Sequence, residues 1–123
     1  MGTITNLIVC FVALLHIYFL ILEMFLWTKP VGLRVFRQTL EKAKGSQVLA
    51  ANQGLYNGFL AAGLLWGVLQ SNAEFALQIK VFFLLCVVAA GIFGAYSVSK
   101  RILYIQAAPA AAGLVLLFLF RTT

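Results

Sequence analysis

Four long apolar runs constrain the fold of this chain more than any other feature. They cover residues 4–27, 48–69, 75–96 and 102–120. Each is close to the roughly 20 residues that a helix needs to cross a hydrocarbon core about 30 Å thick. A lone strand would leave backbone groups unpaired in lipid, so each run is expected to be helical. With short turns between the later runs, the sequence predicts an all-α integral membrane four-helix antiparallel bundle, with residues 1–123 as a single membrane domain.

The composition favours a lipid environment over a single soluble core. Of the 123 residues, 63% are hydrophobic and 10% are charged, whereas a soluble domain has about 25% charged residues. The first run is too long for a signal peptide and no small-residue cleavage pattern follows it, so we expect it to persist as a span. Cys10 and Cys86 lie in different runs, outside any CxxC or Cys/His cluster. No metal site, disulfide or cofactor is therefore predicted.

Basic residues are distributed unevenly among the loops. Lys100 and Arg101 separate the third and fourth runs, while the turn at residues 70–74 has no basic residue. The positive-inside rule places both basic loops in the cytoplasm and both termini outside a cell membrane. Topology thus explains the net charge of +6, and no nucleic-acid partner is expected. The loop 28–47 contains five further basic residues: Lys29, Arg34, Arg37, Lys42 and Lys44.

Two interpretations remain open for the loop 28–47, the only long loop. Its apolar residues are interspersed with basic ones, which favours a short amphipathic segment lying along the membrane surface. It can equally be a solvated basic linker that only fixes topology. In the third run, Lys80 lies a short way inside the span and is expected to extend its ammonium group to the outer surface.

The second run carries polar side chains where lipid contact would favour apolar ones. Asn52, Gln53, Tyr56 and Asn57 lie within six positions, and at about 100° per residue they fall within an arc of about 140°. A second stripe has small residues at four-residue spacing, which is typical of close helix packing. The stripe consists of Gly54, Gly58 and Ala62, and the remaining side, assigned to lipid, carries Leu55, Phe59 and Trp66.

The first run has a polar side as well. His16 and Glu23 are seven residues apart, so they point almost the same way, about 10 Å apart along the axis. At about 1.5 Å rise per residue, Glu23, Asn52 and Gln106 each lie roughly 6 Å from the cytoplasmic end of their span. Carboxylates inside membranes are functional candidates by default. We therefore expect a polar pocket around Glu23 in the inner half of the bilayer, with His16 at its deep end.

The candidate ligand- or proton-binding residues form one set across three runs. The alternative is that these side chains only hydrogen-bond neighbouring helices, at about 0.6 kcal/mol each. No catalytic or metal-binding residue is predicted. The set comprises Glu23, His16, Asn52, Gln53, Tyr56, Asn57 and Gln106.

Small residues and a proline mark the last two runs. Gly91 and Gly94 in the third run, and the alanines around Pro109 in the fourth, allow close helix approach. Pro109 lacks a backbone donor and frees a carbonyl near Ile105, so a kink is expected there.

Three segments together resemble one family. They are LHIYFLILEMFLW (residues 15–27), VLAANQGLYNGFLAAGL (48–64) and RILYIQAAPA (101–110). The chain is similar to the small membrane proteins grouped as domain of unknown function number 1304. The resemblance covers nearly the whole chain and implies four membrane helices, but it implies no chemistry.

Three functional hypotheses follow. The first is a transporter or ligand-binding protein, in which Glu23 exchanges a proton for a cationic or polar amphipathic small molecule, with a homodimer enclosing the path. The second is a structural or assembly partner of another membrane protein, in which the polar cluster fixes packing. The third is a membrane enzyme acting on a lipid or quinone-like substrate, with Glu23 and His16 as acid and base; their separation of about 10 Å argues against it.

Overall fold

The computed structural model describes residues 2–97 and 100–120, which are helical apart from short turns and contain no strand. The all-α prediction is therefore confirmed. The two chain ends, which the sequence predicts outside the cell, extend beyond the described residues. The helices are α1 (Gly2–Met24), α2 (Pro30–Val35), α3 (Leu40–Gly45), α4 (Gln47–Leu69), α5 (Ala73–Ser97), α6 (Lys100–Ile102), a π-helix (Leu103–Ala107) and α7 (Ala108–Phe120).

Among the described residues, two helices are long and apolar enough to cross a membrane, judged by length and composition. They are α1 and α5, and a shorter apolar helix covers Tyr104–Phe120. Helix α4 has the necessary length of 23 residues. Its three amide side chains, Asn52, Gln53 and Asn57, make it less apolar than α1 and α5. Two of the four predicted spans thus meet the criterion directly.

The helices form two compact units. The central unit is Leu14–Phe59, and the terminal unit combines Met1–Ala13 with Leu60–Thr123. Helices α1 and α4 each contribute residues to both. That residues 1–123 act as one membrane domain stays a prediction.

In the central unit, α1 ends at Met24, three residues before the end of the predicted run. The chain then turns, and the backbone of Lys29 is extended immediately before Pro30. A residue that precedes proline avoids the helical region, and proline is favoured in the first turn of a helix. The loop 28–47 consequently contains α2 and α3. Its location at a membrane surface stays a prediction.

Trp27 holds this loop against the end of α1. Its indole Nε1 donates a hydrogen bond of 3.2 Å to Oγ of Ser46, and its ring contacts that of Phe36 with 4.8 Å between centroids. Helix α2 lies close to the turn after α1, because a Cβ added to the buried Gly32 would overlap the carbonyl oxygen of Leu26. A side chain at position 32 would therefore force α2 away.

Helix α4 approaches α1 through two of the three predicted small residues. A Cβ at Gly54 would lie 2.7 Å from Cγ of Met24, and one at Gly58 would lie 2.7 Å from Cδ1 of Leu20. Ala62 is exposed, and Ala61 is buried instead. Four-residue spacing drifts by about 40° per step around a helix. Residues spaced alternately four and three apart stay on one face of a helix. The buried residues of α4 follow this spacing: Ala50, Gly54, Asn57, Ala61 and Leu64.

In the terminal unit, α5 lies against the π-helix and α7. A Cβ on Gly91 would lie 2.6 Å from Cβ of Ala107, so the two backbones are in close approach. The π-helix ends two residues before Pro109. Wide turns of this kind accommodate a break in the regular hydrogen-bond ladder. The local distortion thus falls where Pro109 is expected to disturb the helix. Val9, Leu84 and Val87 are fully buried in this unit.

Candidate functional site

The clearest polar contact in the central unit joins α1 to α4. Nδ2 of Asn57 donates a hydrogen bond to Oε1 of Glu23. Glu23 is 8% exposed and Asn57 is 4% exposed. Two of the candidate residues are therefore brought together away from solvent, as the last turn of α1 meets the middle of α4.

Gly54 allows this contact to form. A Cβ at position 54 would lie 3.1 Å from Cβ of Glu23 and 3.2 Å from the carbonyl oxygen of Leu20. The backbone of α4 therefore passes directly beside the helix that carries Glu23. Asn57 follows three residues later on the same buried line, where its amide reaches the carboxyl group.

The pair combines an ionisable group with a neutral donor. A side-chain amide can donate to a carboxylate or to the carbonyl oxygen of a carboxylic acid, so the hydrogen bond is compatible with both forms of Glu23. A buried carboxylate is costly unless its charge is paired. Whatever neutralises the carboxylate, a proton or a bound cation, therefore stabilises this arrangement.

Three other candidates lie on a different side of α4. Asn52, Gln53 and Tyr56 are exposed, and Tyr56 has 54% of its surface accessible. The arc of about 140° predicted for the polar residues thus has one edge buried, at Asn57, and the rest exposed. The structure does not gather these three side chains with the Glu23–Asn57 pair.

The two remaining candidates are buried. His16 is completely buried, and its ring is edge-on to that of Phe19 at 6.2 Å between centroids. Gln106 lies in the π-helix. Neither side chain is without a partner. Gln106 belongs to the terminal unit and Glu23 to the central unit, so a shared pocket around them stays a prediction.

One buried polar pair was not anticipated. Nζ of Lys80 donates a hydrogen bond to Oδ1 of Asn6, and Lys80 is only 8% exposed. Lys80 was expected to extend to the surface instead. A signal was available in the sequence, because Asn6 lies near the start of the first run and Lys80 near the start of the third. If both runs start at the same membrane face, the two side chains share a depth.

Comparison with known proteins identifies the family. The family described as "Protein of unknown function (DUF1304)" matches residues 10–118. The chain belongs to this family. The resemblance carried by the three sequence segments is therefore confirmed. Glu23, Asn57 and Lys80 lie within the residues that DUF1304 matches, and Asn6 precedes them.

A relative of this DUF1304 chain is the "Uncharacterized protein YpaA" of Lactococcus lactis subsp. lactis (strain IL1403). The two are 30% identical over 117 residues, which cover 94% of this chain and 97% of the relative. No solved structure matches the chain.

Proposed function

We propose that the protein is a multi-pass membrane protein with four spans. The spans are α1, α4, α5, and the segment formed by the π-helix and α7. The length and apolar composition of α1 and α5 support this arrangement, as does the concentration of basic residues in two of the three loops. In this arrangement both basic loops face the cytoplasm, and Glu23 lies in the inner half of the bilayer.

Within that frame, the protein functions as a proton-coupled transporter or ligand-binding protein for small cationic amphipathic molecules. The observation that carries this proposal is the buried hydrogen bond from Asn57 to Glu23. A membrane protein that retains a carboxyl group at such a position bears an insertion cost of a few kcal/mol, which on insertion scales is about 2.5–3.5 for an acidic residue at the centre of a span. A functional role explains why Glu23 is present where packing alone would favour an uncharged residue.

The exchange is stoichiometric. When a monovalent cation binds, Glu23 releases one proton and its carboxylate neutralises the cation, so the net charge of the site is unchanged. Asn57 keeps donating to the carboxyl oxygen in both states. Because proton and cation compete for one group, binding of the cation strengthens as the pH rises.

The test uses purified protein and tetraphenylphosphonium as a lipophilic-cation probe. Calorimetry in two buffers of different ionisation enthalpy gives the number of protons released per bound cation. We expect about one for the parent protein and none for Glu23→Gln, which retains shape but does not ionise. Glu41→Gln removes an exposed carboxyl group and serves as the matched control. Proton release that is equal in parent and Glu23→Gln proteins would rule out the exchange.

A second candidate function, assembly with a further membrane subunit, either another membrane protein or a second copy of this chain, is favoured by the exposed face of Asn52, Gln53 and Tyr56. Amide groups facing lipid lack hydrogen-bond partners, which is costly. An amide both donates and accepts, so a two-fold interface between copies of this face is self-complementary. A homodimer is the simplest such assembly.

Disulfide crosslinking tests the assembly. In a background of Cys10→Ala and Cys86→Ala, Gln53→Cys should form a crosslinked dimer in oxidised membranes. Ala62→Cys places a thiol at an exposed position of α4, about 180° around the helix from Gln53, and should remain monomeric. Equal crosslinking at both positions would indicate random collision and would rule out a specific interface.

A further inference from the structure

A cleft of about 580 Å³ lies in the terminal unit. Its lining comes from the first residues of α1, the end of α4 with the following turn, the first two turns of α5, and the last part of α7. Small-molecule sites typically have volumes of about 300–1,000 Å³. The cleft is therefore large enough for a ligand, and neither Glu23 nor Asn57 is among its lining residues.

Lys80 supplies a positive charge to this cleft. Its side chain lines the cleft, is 8% exposed, and donates a hydrogen bond to Oδ1 of Asn6. An ammonium group has three donors, and Asn6 is a neutral partner. The stem of Lys80 packs closely against Gly67, where an added Cβ would lie 2.8 Å from Cγ of Lys80. A positioned cation with a neutral partner is suited to binding an anionic group.

Glu74 supplies a negative charge to the same cleft. It is an exposed residue in the first turn of α5 and lines the cleft together with Lys80. The two residues are six positions apart, which corresponds to about 9 Å along the helix axis. An anionic ligand alone would be attracted by Lys80 and repelled by Glu74. A ligand that carries both charges would complement both residues.

The rest of the lining is amphipathic. Thr5, Gln70 and Ser71 contribute polar groups, and Leu77, Leu117 and Phe120 contribute apolar surface. The amide oxygen of Gln70 accepts a hydrogen bond from the backbone of Asn72, which orders the turn. Polar and apolar walls together suit a molecule with a charged head and a hydrocarbon portion.

We propose that this cleft binds the headgroup of a zwitterionic amphiphile that carries a phosphate and a primary ammonium group, with the phosphate against Lys80 and the ammonium against Glu74. This chemistry occurs in aminophospholipids and in their soluble headgroup derivatives. The lipid form relies on the membrane placement given under Proposed function, but it is independent of any role for Glu23.

The test measures ligand retention by native mass spectrometry on delipidated protein in a neutral detergent. Three probes are added separately: dioleoylphosphatidylethanolamine, dioleoylphosphatidylglycerol, and soluble glycerophosphoethanolamine. The parent protein should retain phosphatidylethanolamine at least fivefold more than phosphatidylglycerol. If glycerophosphoethanolamine binds as tightly as phosphatidylethanolamine, the ligand is a soluble headgroup compound. If glycerophosphoethanolamine binds much more weakly, the ligand is the lipid.

Separate variants test the contributions of Lys80 and Glu74 to lipid binding. Lys80→Met should reduce retention of both lipids about tenfold, and Lys80→Arg should restore it. Glu74→Gln should abolish the preference for phosphatidylethanolamine, because it removes both the attraction for the ammonium group and the repulsion of phosphatidylglycerol. Lys44→Met, at an exposed site in α3, is the matched control and should behave as the parent. If Lys80→Met does not fold, the headgroup preference of Glu74→Gln decides alone.

Two results would overturn the site. One is parental retention by a folded Lys80→Met variant, and the other is a parent protein with no preference between the two lipids. Glu23→Gln should retain phosphatidylethanolamine normally. A negative result in the proton-release test at Glu23 would therefore not count against this lipid site. A membrane-inserted protein without lipid preference would contradict only the cleft, whereas a protein that does not enter membranes would contradict the proposed function.

Discussion

The side-chain amide of Asn57 in α4 donates a hydrogen bond to the carboxyl group of Glu23 in α1, and both side chains are buried. The contact depends on the close approach at Gly54. It fixes the rotation of α4 about its own axis within the central unit. A polar contact of this kind can stabilise the packing, hold a proton or cation, or do both, and mutations separate these roles.

Removing the two partners should have unequal effects on stability. Asn57→Ala deprives the buried Glu23 of its donor and should lower the free energy of unfolding by about 1–3 kcal/mol. Glu23→Gln retains an oxygen acceptor for Asn57 and should change it by less than about 1 kcal/mol. Glu23→Ala removes the acceptor altogether, and its effect combined with that of Asn57→Ala should be non-additive by about 0.5–3 kcal/mol, as for residues in contact. Denaturant unfolding in detergent provides the measurement, and full additivity would contradict a direct interaction.

Helical periodicity predicted part of this site. It predicted that Asn52, Gln53, Tyr56 and Asn57 fall within one arc of about 140°, but the angle between residues does not reveal which edge of the arc meets a neighbouring helix. That edge is determined by the approach of α4 to α1 at Gly54, a tertiary contact that the residue pattern of α4 alone does not contain. Leu55, Phe59 and Trp66, which the sequence assigns to lipid, are exposed in the structure, and their contact with lipid stays a prediction.

Membrane orientation can be tested by thiol labelling. In the background of Cys10→Ala and Cys86→Ala, Asn72→Cys lies in an exposed turn and Glu41→Cys at an exposed site of α3. Because basic loops resist translocation, an impermeant maleimide added to intact cells should label position 72 only. Permeabilised cells should label both positions. Labelling at position 41 alone in intact cells would reverse the proposed orientation, and labelling at both would show dual insertion.

Helix packing at Gly58 gives a third prediction. Gly58→Leu should destabilise the central unit by about 1–3 kcal/mol, because the added side chain overlaps Cδ1 of Leu20 and overpacking costs that much. Phe59→Leu, at a neighbouring residue with 59% of its surface exposed, should change the stability by less than about 0.5 kcal/mol. Melting temperatures in one detergent compare the variants. Indistinguishable values would show that α4 does not meet α1 at this face.

Two glycines in the loop 28–47 form a matched pair for the fourth prediction. A methyl group at Gly32 would overlap the carbonyl oxygen of Leu26, whereas one at Gly45 would meet no atom within 4 Å. Gly32→Ala should therefore destabilise by about 1–3 kcal/mol, and Gly45→Ala should stabilise by up to about 1 kcal/mol through the unfolded chain. Thermal unfolding measures both. A tolerated Gly32→Ala would show that α2 is not held against the end of α1.

The loop also shows where sequence patterns are insufficient. Lys29-Pro30 predicts a break after the first helix, since the residue before proline avoids the helical region, but α1 already ends at Met24. The end of α2 was not predicted, because the residue that terminates it is Arg37 rather than the usual glycine. Arg37 has a φ of 52°. An arginine in the sequence does not indicate this backbone conformation, whereas a glycine would.

Arg37 gives the last prediction. The backbone N–H of Gln38 donates to the carbonyl of Leu33 at 3.1 Å and that of Arg37 to the carbonyl of Arg34 at 3.4 Å, which is the hydrogen-bond pattern of a Schellman motif. Its left-handed position favours glycine, and other residues lose roughly 1–2 kcal/mol there. Arg37→Gly should therefore raise the free energy of unfolding by about 1 kcal/mol, after the entropy of an added glycine is subtracted.

Arg34→Gly is the control, because it removes the same charge from the interior of α2. It should lower stability by up to about 1 kcal/mol, since glycine is unfavourable within a helix. The two variants thus have opposite signs at equal net charge, and denaturant unfolding of both in one detergent compares them directly. Destabilisation by Arg37→Gly that equals that of Arg34→Gly would show that the Arg37 side chain contributes more than its backbone conformation costs.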